Sequence, residues 1–575
     1  MKKILVFLSP LLLAFFYSCS KTSYREISVD DYMDKVKAGW IGQMSGVGWG
    51  GPTEFRWKSE IIPAQAIPDW SPVLVNQFNQ DDIYVEMTFL RTLEKYGFDV
   101  NIRQAGIDFA NSRYMLWHAN KAGRDNLRGG IAPPWSGHPA YNNHADDIDY
   151  QIEADYAGLI SPGMPGTAID LGNIFGRLMN YGDGLYGGNF VAGMYAEAFF
   201  EKDIEKIIQA GLKCIPRESQ YYQVITEVIS LYHEFPGDWT RAWQIVNDKY
   251  HNNTEYRKFS CSGSDPFNID AKINGAYIVL GLLYGKGNLD STIIISTRCG
   301  QDSDCNPANS EGILATTIGF NNLPAKFRDS VDYSTKFSYT DYNLNELITV
   351  SEKLARQAVL RTGGIISKGP DGKEYFKIPV TEPEPGDYKP CWNPEEATGD
   401  IYFTGDEMSQ IEMRIVPPSA HITSWKISGP YSKTGLNDSL LFDFPFEPES
   451  NAGKVSWEIL PPGNGESEWI IQIDRLFSET NAVVYLRTEI HSPVKQQVWF
   501  FTGSDDGIKV WLNGSVVHEK NIRRGLNPDE DKFNVILEEG WNTCLVKVTQ
   551  GTGGWGMSAA ICDTTGKSLG GLDFK

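Results

Sequence analysis

The chain has 575 residues, of which 41% are hydrophobic, 22% charged and 12% aromatic, with a formal net charge of −21. That length exceeds one ordinary core, so two to four domains are expected. A field this negative repels nucleic acid and anionic lipid, which sets nucleic-acid binding aside.

Lys2 and Lys3 precede an apolar run from Ile4 to Phe16 and then Tyr17-Ser-Cys19. A basic start, a short apolar stretch and small residues read as an export signal over residues 1–18, the run being too short to span a bilayer. Cys19 stands where a bacterial lipobox places its cysteine. Lipidation there would hold an exported, otherwise soluble protein in the cell envelope, periplasmic or outer-surface, and would be its one link to a membrane. Simple cleavage and release is the alternative. The remaining cysteines, Cys214, Cys261, Cys299, Cys305, Cys391, Cys544 and Cys562, form neither a disulfide framework nor a zinc spacing.

From Val29 the apolar spacing is helical and runs into Gly42-Gln-Met-Ser-Gly-Val-Gly-Trp-Gly-Gly-Pro-Thr-Glu-Phe55. Gly46, Gly48, Gly50 and Gly51 permit close backbone approach, to a helix or to a ligand. Glu54 follows Pro52, where the helical pattern breaks, and is expected to project from a helix end or loop, where a lone Glu is ordinarily solvated. Asp81 and Asp82 begin an amphipathic helix at Asn79–Leu90; Gln80 adds an amide oxygen and Glu86 lies one turn on. Acids at a helix start also simply suit its dipole.

Between residues 129 and 165 glycine, proline, histidine and aspartate accumulate. Asp149 and Glu153 share a helical face, with Asp146, Asp147 and Asp155 nearby, as in the wall of a polar pocket or in a solvated acidic helix. Helical patterns continue to Arg361. Within them, Gly300-Gln-Asp-Ser-Asp-Cys305 sets Asp302 and Asp304 at i,i+2 in a turn before a small-residue helix. Two acids so close need a cation or strong donors, and oxygen ligands suit a hard divalent ion. An Asx-turn with a helix cap is the plainer reading.

These patterns predict a multidomain protein: an all-α domain over 25–365, a Pro/Gly/Glu-rich linker with strands over 366–420, and a jelly-roll-like β-sandwich over 421–575. Period-two runs such as Val483–Ile490 and Gln497–Thr502, with turns at Asp505-Asp-Gly507 and Asn513-Gly514, carry the last assignment.

Three blocks, Gly46 to Phe55, Gln80-Asp81-Asp82 and Gly300 to Cys305, resemble in order the motifs of the ADP-ribosylglycohydrolase family, including its dinitrogenase-reductase-activating type, over about residues 28 to 325. The resemblance implies an orthogonal all-α bundle. It implies that Asp81, Asp82, Asp302 and Asp304 hold a pair of Mg²⁺-like ions, with Ca²⁺ also acceptable to such a set. Gln80 and Cys305 stand where the family has threonines, the amide oxygen preserving one ligand and the sulfur being a softer one. Glu54 and Asp82 would be the catalytic acids, and Glu86, Asp149, Glu153 and Asp155 would line the substrate. Val47 replaces an acid of the family pattern. The segment Phe501 to Gly514 resembles the sugar-binding sandwiches that accompany glycan-degrading enzymes. The expected function is metal-dependent hydrolysis of a glycoside, furanosidic by the resemblance, in an extracytoplasmic glycan. Hydrolysis of protein or small-molecule ADP-ribose conjugates is one alternative; a retired enzyme serving as a glycan-binding or scaffold protein is the other. Oligomeric state is not readable from the sequence.

Overall fold

A computed structural model describes residues 23–260, 266–412, 416, 418–450, 455–461, 468–564 and 566–575. The expected export signal, Cys19 and Cys261 lie outside the described residues. Two compact units emerge, one from the chain up to Asn101 with Asn143–Glu395, the other from Ile102–Asn142 with Glu396–Lys575.

In the first unit, β1 (Tyr24–Ser28) leads directly into α1 (Val29–Gly50), whose start is capped by Ser28 Oγ accepting from Asp31 N at 3.0 Å. There follow α2 (Asp81–Tyr96), α3 (Gly182–Ala198), α4 (Ala271–Gly285), α5 (Leu289–Arg298), α6 (Cys305–Ile318) and α7 (Leu344–Arg361), with further helices between them. α4 is buried along its whole length, and α1 from Ala38 onward. Helices apolar or small on every side belong at the centre of a helical core.

α1 runs along α6 at very short range. A Cβ on Gly46 would lie 2.3 Å from the Pro307 carbonyl oxygen, and one on Gly50 would lie 1.9 Å from that of Ser303. The glycine stripe therefore serves helix packing, and it presses the end of α1 against the turn that carries Asp302 and Asp304.

The unit limits differ from those expected from composition. The supposed linker contributes β2 (Ile365–Lys368) and β3 (Glu374–Pro379), and β3 pairs antiparallel with both β1 and β2. Phe376 is buried against the Tyr32 ring at 5.3 Å, and Cys391 is buried with Ala145 and Tyr181. Proline and glutamate there punctuate an edge sheet rather than a tether. The segment Ile102–Asn142 goes with the second unit through backbone pairing that no local pattern announces: Ala132 N donates to Ile401 O at 2.7 Å, and Phe403 N to Gly130 O at 2.8 Å. Arg103 also forks onto Glu407 at 2.6 Å, which lowers that carboxyl to about 2.

The second unit is an antiparallel sandwich. Its strands are β4 (Trp425–Tyr431), β5 (Glu458–Leu460), β6 (Ile471–Gln472), β7 (Ala482–Ser492), β8 (Gln496–Asp505), β9 (Ile508–Leu512), β10 (Ser515–Lys520), β11 (Asp531–Leu537), β12 (Gly540–Gln550), β13 (Gly556–Cys562) and β14 (Asp573–Phe574). One sheet has the order β10-β9-β12-β7-β4-β5 with β14 beside β7; the other has β11-β8-β13-β6. From β7 to β9 and again from β10 to β13 the chain alternates between sheets. Val484, Leu486, Val510 and Val546 from the first face Val498, Phe500, Val535 and Ile561 from the second in one core. The period of two does this: Val498 and Phe500 point inward, leaving Trp499 and Phe501 to the opposite face. A helical domain followed by an antiparallel β-sandwich is thus the architecture. Among the described residues no helix is long and apolar enough to cross a membrane.

Candidate functional site

Two chain segments approach the end of α1 and build the site. The first is the start of α2. Gln80, half-buried and extended at φ −122° and ψ 132°, precedes the helix without a side-chain capping bond. Asp81 and Asp82 follow in the first turn. Asp82 is wholly buried, and neither of its carboxylate oxygens accepts a hydrogen bond. Capping therefore does not account for it.

The second segment is the turn before α6. Gly300 (φ +82°) and Gln301 (φ +57°) take left-handed conformations in succession. Gln301 holds this shape through bonds at both ends: its backbone N–H donates to Trp57 O at 3.2 Å, its carbonyl accepts from Phe55 N at 3.2 Å, and its side chain bonds Pro266 O and Asn268 N. Thr53 and Ser303 hydroxyls meet at 3.0 Å. The turn aims Asp302 and Asp304 inward, each at most 3% exposed. Asp304 Oδ1 accepts from Cys305 N at 3.0 Å, so it caps α6 as well as joining the cluster.

The acids converge in two groups. Asp82, Asp304 and Cys305 form one; Glu54, Asp302 and Asp304 form the other. Within each, one ligand atom per residue lies within 4.8 Å of the rest. Asp304 belongs to both, and Glu54 is the accessible member. Asp81 stands beside Asp304, and burial and that neighbour raise its carboxyl to about 6. Burial, then Asp304 and Asp81, push Glu54 up to about 9. Burial and neighbouring acids hold Asp82 and Asp302 well above the usual carboxylate range. Among the described residues none of these five acids has an ion pair with lysine, arginine or histidine.

Protons or cations must neutralise such a cluster. Buried, unpartnered oxygens of Asp82 and Asp302 in a set of hard donors fit a divalent cation. Burial and the adjoining acids keep Cys305 a neutral thiol, which donates to Asp304 Oδ1 at 3.6 Å. Its sulfur is a neighbour of the oxygen ligands rather than their equal. Gln80 adds its amide at the same helix end as Asp81.

The four acids expected along a substrate wall are placed differently. Glu86, Glu153 and Asp155 are wholly buried and Asp149 is only 6% exposed, so they line no open surface. Glu86 accepts from Gln43 Nε2 and Tyr156 N, and Asp155 accepts from Asn309 Nδ2. Helical periodicity assigns residues to a face but cannot say whether that face meets solvent or an interior polar network. Gln43 and Asn309 escape sequence reading for the same reason. Polar residues at such spacing inside small-residue helices are the one available signal.

Close packing of Gly50 yields a direct expectation. Gly50→Ala should displace the Ser303–Asp304 backbone and weaken divalent-ion binding at least tenfold, measured by calorimetric titration. Gly51→Ala, with open space at its Cβ, should bind as the unsubstituted chain does.

A helical domain that gathers carboxylates from distant segments around one accessible acid defines a hydrolase-type centre able to accept a cation. The family model of ADP-ribosylglycohydrolase matches residues 28–361, and the chain belongs to that family of hydrolases. No match is found among curated proteins. Among solved structures, an ADP-ribosylglycohydrolase-related protein complex is 12% identical over 57% of this chain and 99% of that one, with a TM-score of 0.38. The PA14 domain of the antifreeze protein MpAFP is 12% identical over 27% of this chain and 87% of that one, with a TM-score of 0.18. A β-glucuronidase from Faecalibacterium prausnitzii is 14% identical over 22% and 20%, with a TM-score of 0.14. At these TM-scores the structural likenesses carry no argument about activity.

Proposed function

We propose that the protein is a divalent-cation-dependent glycoside hydrolase acting on a furanosidic linkage of an extracytoplasmic glycan. The observation that carries this is the convergence of Glu54, Asp82, Asp302 and Asp304 with no basic partner among the described residues. Asp82, Asp302 and Asp304, with Asp81 and Gln80 beside them, would hold divalent cations, Mg²⁺ or Ca²⁺. A bound cation supplies charge that neutralises the carboxylates and orders sugar hydroxyls. Glu54, the accessible acid of the cluster, would take a proton from an attacking water and pass one to the leaving oxygen. Asp82, wholly buried, would act through its part in holding the cation.

The export signal and Cys19 support an envelope location, anchored through lipid at that cysteine, with a glycan and not a nucleic acid as partner. The second unit supports a glycan too. It carries a groove of about 880 Å³ lined by Trp499, Phe501, His518, Lys520, Asp531 and Lys532. Trp499, half-buried, can stack on a sugar ring, whereas Phe501 is buried; paired charges such as Lys520–Asp531 at 2.9 Å offer hydroxyl partners. Trp499→Ala is expected to weaken retention on an insoluble glycan about tenfold, on the order of one lost stacking contact, in a pull-down assay. Turnover of a small soluble glycoside should not change.

Family membership favours a second reading, hydrolysis of ADP-ribose conjugates. Sugar release from a panel of plant and microbial glycans and ADP-ribosylated substrates, with and without EDTA, separates the two. Chelator-sensitive release from a glycan supports the first reading, and release from ADP-ribosyl substrates alone supports the second. Silence across the panel refutes both and leaves a binding protein.

A further inference from the structure

One turn inward from the acid cluster, a buried polar brace ties together the helices that carry it. Gln43 Nε2 of α1 donates to Glu86 Oε1 of α2 at 2.7 Å. The Tyr156 backbone N–H donates to Glu86 Oε2 at 2.8 Å. Tyr156 belongs to the short helix Asp155–Leu159, and Asp155 Oδ1 accepts from Asn309 Nδ2 of α6 at 2.9 Å. Gln43, Glu86, Asp155 and Asn309 are all 0% exposed.

Each element that delivers an acid therefore contributes to the brace. α1 leads to Glu54 and supplies Gln43. α2 opens with Asp81 and Asp82 and supplies Glu86, four residues beyond Asp82 and on its face. α6 follows Asp302 and Asp304 and supplies Asn309. A leucine at position 86 would fill comparable volume without the cost of burying a carboxyl. What the carboxyl adds is two directed hydrogen bonds at fixed length, one to α1 and one to the Asp155 helix.

We infer that Glu86 is a positioning residue, which through Gln43 and the Tyr156 amide fixes where Asp82 stands relative to Asp304 and Glu54. The inference rests on the reading of the cluster as a divalent-cation site. Ligands held from behind bind more tightly, and loss of such support typically costs ten- to a hundredfold in metal affinity.

The test is Mn²⁺ titration of the chelator-stripped full chain, with electron paramagnetic resonance of the bound ion. It compares the unsubstituted protein with Glu86→Leu, Glu86→Gln and the swapped pair Gln43→Glu with Glu86→Gln. Glu86→Leu should melt cooperatively yet bind Mn²⁺ about ten- to a hundredfold more weakly, with an altered spectrum that reports changed ligand geometry. The swapped pair restores an amide–carboxyl bond between the helices and should recover most of the affinity. Unchanged affinity and spectrum in Glu86→Leu would overturn the inference, as would a loss that the swap does not repair. If the leucine variant fails to fold, Glu86→Gln decides, because it keeps the volume and loses one acceptor: weakened binding supports the brace, unchanged binding overturns it. Absence of Mn²⁺ binding by the unsubstituted chain overturns the cation reading, and the brace with it.

Discussion

Asp302→Ala is expected to abolish divalent-ion binding and lower hydrolysis by at least 10²–10³-fold, on the order of what one removed electrostatic contact at a reacting centre costs. The same variant, free of metal, should melt at the same temperature as the unsubstituted chain or higher. Asp302 is 2% exposed, and burial first, then Asp304, Glu54 and Asp82, raise its carboxyl. Removing it relieves burial and like-charge crowding that no basic side chain among the described residues offsets. A residue whose only role is packing would behave oppositely, since its truncation opens a cavity and lowers stability with or without the ion. Calorimetric melting with and without Mg²⁺, alongside titration, reads both signs at once. Full activity in Asp302→Ala would remove the cluster from the mechanism.

Added cation should stabilise the protein more at pH 8.5 than at pH 5, and the metal-free protein should lose stability across that interval. Glu54 sits at about 9 and Asp81 at about 6, each raised chiefly by burial from an unfolded value of about 4. Folded-state values above unfolded ones mean that the native chain holds more protons. Their contribution is complete below about pH 4 and is lost as pH rises through about 6 to about 9. A divalent ion replaces those protons, so its effect grows with pH. At a free ion concentration a hundredfold above Kd the gain is about 2.7 kcal/mol. Glu407 works in the other direction within the second unit: Arg103 holds it at about 2, so its contribution is present above about pH 4 and fades as pH falls toward 2. Melting temperatures measured from pH 4 to pH 9, in EDTA and in Mg²⁺, should diverge with rising pH. Parallel curves would contradict the cation assignment.

The acids of the cluster are legible in sequence because their spacing is local. Asp81-Asp82 marks a helix start, Asp302 and Asp304 share a tight turn, and Glu54 follows a helix-breaking proline. Glycines at 46 and 50 announce a close approach, although only the structure names Pro307 and Ser303 as what they approach. What the sequence hides is long-range. The pairing of Gly130 and Ala132 with Phe403 and Ile401 joins segments about 270 residues apart, and no periodicity foretells it. The sequence predicts strands between residues 366 and 420, but not that Glu374–Pro379 pairs with Tyr24–Ser28 at the far end of the domain. Glu86 and Asp155 illustrate a third limit, since an acid that braces helices and one that meets substrate share the same residue type and spacing.

Crystals grown without metal and soaked in Mn²⁺ would give the most direct measurement, an anomalous difference map. The account predicts density among Asp82 and Asp304, with a second position toward Asp302 and Glu54. A map without density at these carboxylates, in crystals where they are well ordered, would contradict it.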